Sequence, residues 1–382
     1  MMLEILFWLL FLLIAIPYIL FPAFLRWKAK GKKLVAPKVI YKDQLISIVM
    51  AVHNEEEVLE EKLASIFSST YFPFEVLVGS DASTDGTHSI LEKWSRSHSN
   101  LRVYYYSERQ GKINIINDLV RKAQGNVIVS TDAKAIFLPD TLAHLVARFS
   151  DSQVGMVGAF LINPRQENAG IVRQEDFYMN GEMELKYVEG LLYGKVMGVY
   201  GALYAIRKEL FPVVPAYLMV DDLYITLKVI ERGFTVVMEP NAKAILRLPL
   251  TLDEEFRRKV RIAIGDFQNL KIFSSWLLHS RRIETWLFFC HKGLRWLTPF
   301  FLLGIALILP FLQYAWLYKI LFLLFIFFFM VPLLDFLLSK VGVYVYFLRL
   351  ITHFLAMNLA LLVGFLKSFR KRTKAIWDPS KR

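Results

Sequence analysis

The sequence predicts an α/β domain built on a mostly parallel sheet and flanked by transmembrane α-helices. Three observations point there. Long apolar runs stand near both ends of the chain, strand-like and helix-like patterns alternate through its middle, and successive strands of that middle end on acids and amides. With 382 residues there is room for one large domain or two ordinary ones. A mean hydropathy of +0.40 together with 31 Phe is too apolar for an ordinary soluble enzyme.

Residues 5–25 (ILFWLLFLLIAIPYILFPAFL) carry no charge, which meets the requirement of roughly 20 apolar residues for crossing a bilayer. Only Glu4 precedes this run, and the basic stretch RWKAKGKK (26–33) follows it. It is too long for a signal-peptide core and lacks a basic start, so it reads as a retained anchor. The positive-inside rule then places residue 26 onward in the cytoplasm. Residues 1–36 are the expected anchor and its basic flank.

Residues 37–275 have the composition of an α/β domain. LISIVMAV (45–52) is a β-branched run of buried-strand length, and 55–69 follows with apolar residues at helical spacing. A strand over 75–81, a helix over 84–97, a strand over 101–107 and a helix over 112–125 continue the alternation, the last closed by Gly125. NVIVSTD (126–132) is the fourth strand, and Pro139 opens the helix of 139–149. Such alternation argues for a largely parallel sheet with helices on both faces.

Beyond the α/β region, 276–295 reads as an interfacial amphipathic segment and 296–367 as membrane helices. Apolar runs over 296–315, 317–338 and 341–366 make up the latter, the last interrupted by Arg349 and His353. A buried core helix is the bland alternative for each. The tail 368–382 is basic and expected in the cytoplasm. One entry and three exit crossings would put it outside, so one C-terminal segment, the fourth by preference, lies along the interface instead. The net charge of +12 (46 Lys+Arg against 34 Asp+Glu) fits contact with anionic headgroups, and no nucleic-acid motif accompanies it. Cys290 is the single cysteine, which excludes an intramolecular disulfide and a cysteine zinc site. No internal repeat or low-complexity tract is present.

Parallel sheets bind ligands outside the carboxyl ends of their strands. Those ends here read HNEEE (53–57), SDASTDG (80–86) and TDAK (131–134). One such acid is usually a helix cap or turn residue; three opening onto one crevice are better explained by a ligand. No GxGxxG or GxxxxGK[ST] follows the first strand, so a dinucleotide site or P-loop has no support. An acid-rich crevice suits ribose hydroxyls, base amines and a divalent cation, while cations from elsewhere meet the phosphates. Lys112 is one candidate. Arg257, Arg258 and Arg261 are others, since 257/261 and 258/261 share a helix face, and Gln268 ends the same segment. A basic helix on the membrane surface is the alternative there. Asp221 and Asp222 open an amphipathic helix (218–233), either as favourable charge at its positive end or as a general base.

Taken together, these residues resemble glycosyltransferase family 2, the inverting transferases of GT-A fold, in its membrane-bound polysaccharide-synthase branch. The likeness covers roughly 45–270. VMAVHNEEE is similar to the family's opening strand and nucleotide loop, with His53 and Glu55, and VGSDASTDGT to the second, with Asp81 where the uridine-contacting acid lies. GKINIIN resembles the stretch whose lysine, here Lys112, reaches the nucleotide. STDAK falls where the family has its metal-binding DxD, and VMGVYGALYAIRKEL (196–210) resembles the acceptor-side region. VDD matches the family's TED or EDD, which implies Asp222 as general base beside Asp221. Two departures stand out. The DxD reads Asp132-Ala133-Lys134, without its second acid, and the QxxRW of processive members keeps only Arg261, with Ile262 in place of the tryptophan.

The resemblance implies sugar transfer from a nucleotide sugar, a UDP-sugar by preference, to a polysaccharide or lipid-linked acceptor at the bilayer. It implies a cytoplasmic catalytic domain at a bacterial inner membrane, with polysaccharide-export partners conceivable. Asp132 is the expected ligand of Mg2+ or Mn2+. Lys134 is either a substitute cation for phosphate charge or the mark of a degraded metal site. Two rivals stand beside this reading: a non-processive transferase adding one sugar to a polyprenyl-linked intermediate, and a catalytically impaired nucleotide-binding subunit that scaffolds an assembly. A transporter is weaker, because the spans carry few paired charges.

Overall fold

In the computed structural model the described residues are 1–35, 44–163, 171–246, 252–278 and 282–370, so most of the basic tail lies outside them. The chain divides into two compact units. One comprises Lys28–Gln166 and Gly181–Leu248; the other comprises Met1–Trp27, Glu167–Asn180 and Pro249–Arg370.

The chain starts with α1 (Met2–Ala15) and α2 (Phe21–Ala29), joined through a π-turn over Ile16–Leu20. Pro17 lies in that turn, where its missing N–H loosens the helical ladder. The α/β unit then runs β1 (Ile46–Val52), α3 (Glu56–Phe67), β2 (Phe74–Asp81), α4 (Thr87–Ser97), β3 (Leu101–Tyr106), α5 (Lys112–Lys122) and β4 (Val127–Thr131). These elements match the predicted alternation, with ends displaced by a few residues. After β4 the pattern changes. β5 (Ala135–Phe137), α6 (Thr141–Ala147), β6 (Val154–Ile162), α7 (Ile171–Tyr193), β7 (Leu203–Arg207), α8 (Asp221–Glu231) and β8 (Thr235–Leu246) complete it, α7 leading in from the other unit.

The eight strands form one sheet in the order β3-β2-β1-β4-β7-β6-β8-β5. β3, β2, β1 and β4 are parallel, and so are β6 and β8; β7 is antiparallel to both its neighbours, as β5 is to β8. Ile46 through Met50 are all buried, so both faces of β1 are covered, which explains a run that is apolar except for Ser47, whose hydroxyl donates to Glu75. The antiparallel entry of β7 has a functional consequence. Leu203 at its start pairs with Thr131 at the end of β4, which brings the loop before β7 beside the turn after β4.

In the other unit, α9 (Leu252–Ile272) packs along α13 (Tyr346–Ser368), closely enough that a Cβ on Gly364 would collide with Ala263. α10 (Ile283–Phe288) continues through a π-turn into α11 (Leu294–Ile308), and α12 (Trp316–Lys340) follows. Among the described residues four helical segments are long and apolar enough to cross a membrane: Met2–Ala29, Ile283–Leu312, Trp316–Lys340 and Tyr346–Ser368. The second starts at Ile283, so the expected boundary near 295 falls inside a continuous helical run. Arg349, which interrupts the fourth apolar run, pairs with Asp335 of α12 at 3.7 Å.

Candidate active site

Parallel strands deliver their carboxyl ends to one edge of the sheet, and the candidate residues of the α/β unit collect there in three groups. The first lies beyond β1 and β2. Asp81, 4% exposed, accepts hydrogen bonds from the backbone N–H groups of Gln110 (2.6 Å) and Gly111 (3.1 Å) and from Arg109 Nε (3.1 Å). Arg109 also donates through Nη1 to His53 Nε2 at 2.7 Å. A guanidinium only donates, so the imidazole proton sits on Nδ1, 2.7 Å from the Asp81 carbonyl oxygen. Arg109 is absent from the sequence expectation, although it stands three residues before Lys112 in the same loop.

Asn54 and Ala82 hold the two strand-end loops in the left-handed region, each with φ of 52°. The surroundings fix them there: Asn54 Oδ1 accepts from Thr84 N at 2.8 Å, and Ala82 N donates to the Tyr106 carbonyl at 3.1 Å. Asp85 has the bland role, accepting from Glu56 N and Thr87 N at 3.1 Å each. Desolvation works to raise its pKa, but the bonds from Thr87 and Glu56 prevail and leave it below the usual carboxylate value. Glu55 is buried at the start of α3, its backbone N–H bonded to Thr87 Oγ1.

The second group is the turn after β4. Asp132 Oδ1 accepts from Lys112 Nζ at 2.6 Å. Burial alone would lower the Lys112 pKa, but the charges of Asp132 and Asp221 overcome it and hold the ammonium above its ordinary value. Burial alternates along 131–134, so Asp132 and Lys134 sit half-buried while Thr131 and Ala133 are covered. Beneath them Lys62, fully buried, donates to Thr131 Oγ1 at 2.9 Å and to the Ala135 carbonyl. Its desolvation pushes the amine well below the usual lysine range, against the pull of Asp132. Periodicity placed Lys62 on α3 and said nothing of its burial.

The third group is the start of α8 with the loop before β7. Asp222 Oδ2 accepts from Gly201 N at 2.7 Å, and Oδ1 from Leu223 N at 2.8 Å. A side chain on Gly201 would crowd that carboxylate, its Cβ falling 3.0 Å from Oδ2. Desolvation first, and the neighbouring Asp221 charge second, raise the Asp222 carboxyl above the ordinary range. The loop is tied further by Val199 N to Thr226 Oγ1 (3.2 Å) and by Met197 N to Glu189 Oε2 (3.0 Å). Asp132 N donates to the Ala202 carbonyl at 3.0 Å while the preceding Gly201 N donates to Asp222, so the second and third groups are neighbours in one cleft.

Arg258, Arg261 and Gln268 belong to α9 in the other unit. There Arg258 forms a forked pair with buried Glu255, through Nε at 2.7 Å and Nη2 at 2.8 Å. Among the described residues no group of three or more His, Cys, Asp or Glu is arranged to hold a metal ion. Asp132 offers one carboxylate, with one oxygen already on Lys112. That donor set fits an Mg2+ or Mn2+ ion only if it arrives on a diphosphate, whose oxygens supply the remaining ligands.

Residues 47–214 match the model of the family described as glycosyl transferase family 2. Among curated proteins, the chain is 23% identical over 236 residues to a poly-beta-1,6-N-acetyl-D-glucosamine synthase of Staphylococcus aureus, covering 59% of this chain and 55% of that protein. A Staphylococcus epidermidis protein of the same name is 21% identical over 258 residues, covering 65% and 60%. The chain thus spans little more than half the length of these relatives. Among solved structures, the mannosyltransferase PcManGT from Pyrobaculum calidifontis, in complex with GDP-Man and Mn2+, superposes with a TM-score of 0.69 at 22% identity, covering 96% of this chain and 98% of that one. That likeness shows a shared GT-A fold.

Proposed function

We propose that the chain is a glycosyltransferase whose residues 47–214, which match the glycosyl transferase family 2 model, move a sugar, with inversion, from a nucleotide sugar to an acceptor hydroxyl at a membrane. The observation that carries the mechanism is the convergence of Lys112 and Asp132 with the Asp221-Asp222 pair, through the Ala202 carbonyl bonded to Asp132 N and the Gly201 N–H bonded to Asp222.

Asp222 is the general base. It takes the proton of the acceptor hydroxyl as the oxygen attacks the anomeric carbon, and the bond from that carbon to the diphosphate breaks on the opposite side. Its raised pKa suits the task, since a base works best with a pKa near the working pH. Gly201 N and Leu223 N use one acceptor site on each Asp222 oxygen, which leaves lone pairs for the acceptor. The departing nucleoside diphosphate gains negative charge, and Lys112 with Lys134 offsets it. A divalent ion on Asp132 would add Lewis-acid relief of the same charge. Asp81, His53 and Arg109 form a rigid wall for the nucleoside.

The curated relatives, named for N-acetylglucosamine polymers, support a UDP-sugar donor and a polysaccharide or lipid-linked acceptor. The missing tryptophan after Arg261 favours addition of a single sugar over processive polymerisation. Four membrane-length helices and the basic 26–33 stretch support an integral membrane protein with this domain in the cytoplasm. The test is the purified full chain in detergent with a panel of UDP- and GDP-sugars, with and without Mn2+. Release of free nucleotide from one donor class, abolished by Asp222→Asn, supports the reading; binding without release from any donor would make the chain a scaffold.

A further inference from the structure

Lys62 is a fully buried lysine that the proposed mechanism leaves unused. Its amine nitrogen lies 3.6 Å from the centre of the Phe137 ring and donates to two points of the turn that carries Asp132 and Lys134, Thr131 Oγ1 at its start and the Ala135 carbonyl at its end. The turn itself is closed by Ala135 N donating to the Asp132 carbonyl at 3.2 Å. Lys62 therefore clasps both ends of the turn from inside the protein.

The connections continue across the sheet. Thr131 Oγ1, which accepts from Lys62, donates to the Ala202 carbonyl at 3.1 Å, and Asp132 N donates to the same oxygen at 3.0 Å. The preceding residue, Gly201, donates its N–H to Asp222 Oδ2 at 2.7 Å. One path thus runs by hydrogen bonds from Lys62 through Thr131 to the Ala202 carbonyl, along the backbone of Ala202 and Gly201, and by the Gly201 N–H to the candidate base. We propose that Lys62 is a positioning residue, which holds the donor-side carboxylate Asp132 and the base Asp222 at a fixed separation through Thr131 and Ala202. The site has one acid fewer than the two of the family's DxD, so the set of its remaining carboxylate matters more here. Buried groups that orient ligating carboxylates typically matter by about 10–100-fold when removed.

This inference rests on the glycosyltransferase reading, and its test separates the two. The full chain in detergent is compared with Lys62→Met and with Ser65→Ala. Ser65 joins the same helix to β5, accepting from Phe137 N at 3.2 Å, without touching the turn. Melting temperature and calorimetric binding of UDP and GDP, with and without Mn2+, are measured for each. Lys62→Met should weaken Mn2+-dependent nucleotide binding by about 10-fold or more, while Ser65→Ala changes melting alone. Wild-type affinity in Lys62→Met overturns the positioning role and leaves the functional reading intact. If the wild-type chain binds neither nucleotide, the functional reading fails and this inference with it. Should Lys62→Met not fold, Thr131→Val severs the path without removing the amine. A weakening of the same size supports the role, and unchanged binding overturns it.

Discussion

Lys112 and Asp132 are joined by a 2.6 Å ion pair between the first turn of α5 and the end of β4. Their side chains are 19% and 41% exposed, so the pair lies at the mouth of the cleft and not beneath it. Solvent is able to take over the Asp132 carboxylate when the lysine is gone. Lys112→Met should therefore shift stability by less than about 1 kcal/mol. The loss of a charge-assisted bond to phosphate should instead weaken UDP or GDP binding by about 10- to 100-fold. Calorimetric affinity beside a thermal melt checks both halves; a large drop in melting temperature with unchanged affinity would assign Lys112 to structure alone.

Asp222→Asn should lower kcat by about 100- to 10,000-fold, the usual worth of a positioned base, with nucleotide affinity unchanged. The amide oxygen keeps Gly201 N, but the amide NH2 faces Leu223 N and cannot accept from it, a loss that offsets the removal of an unfavourable desolvated charge. Melting temperature at neutral pH should therefore change little. Comparable turnover in this variant would remove Asp222 from the mechanism.

The pH profile carries a sign of its own. The base acts ionised, and its pKa is raised by burial first and by Asp221 second. Activity should rise with pH along an acid limb whose midpoint lies above the ordinary carboxylate value of about 4. Asp221→Asn deletes the second cause, so the limb should move to lower pH. A limb that stays in place in kcat/KM profiles would assign it to another group.

Arg109→Gln tests the wall formed with Asp81 and His53. The Asp81 carboxylate keeps its two backbone donors but loses the guanidinium, and His53 Nε2 loses its donor. A loss of about 1–3 kcal/mol in unfolding stability is expected from leaving buried acceptors under-satisfied. Unchanged stability together with reduced nucleotide affinity would place Arg109 on the ligand instead.

Asp118 gives a stability prediction away from the chemistry. Desolvation raises its pKa, but bonds from Lys122, Tyr106 and Arg121 outweigh this and bring it down to about 2 from 3.8. A carboxyl lowered on folding contributes stability that is complete above its unfolded value and fades as pH falls from about 4 to about 2. With Arg121 and Lys122 solvent-exposed, that contribution is on the order of 1 kcal/mol. Melts of Asp118→Asn should sit below wild type at pH 7 and converge with it near pH 2; a constant gap would refute the assignment.

The sequence by itself determined the alternating elements from β1 to β4 and the helix α6, though not the short β5 between them, together with the membrane-length apolar runs and the strand-end acids. These are local signals: period, length, and a charged residue at the end of an apolar run. Strand alternation would put Asp132 and Lys134 on one side of an extended chain, but the backbone turns there, closed by Ala135 N on the Asp132 carbonyl. What only the tertiary structure decided is which of those residues meet. β7 returns antiparallel beside β4, and its pairing of Leu203 with Thr131 brings Gly201, Ala202 and Asp222 next to Asp132. No local period encodes that register. Lys62 and Arg109 escaped the sequence for a related reason, since a charged residue on a helix or in a loop reads as solvated. Burial comes from the packing of distant segments around it: Lys62 is enclosed by the turn after β4, and Arg109 is held by Asp81 and His53 from two other strand ends.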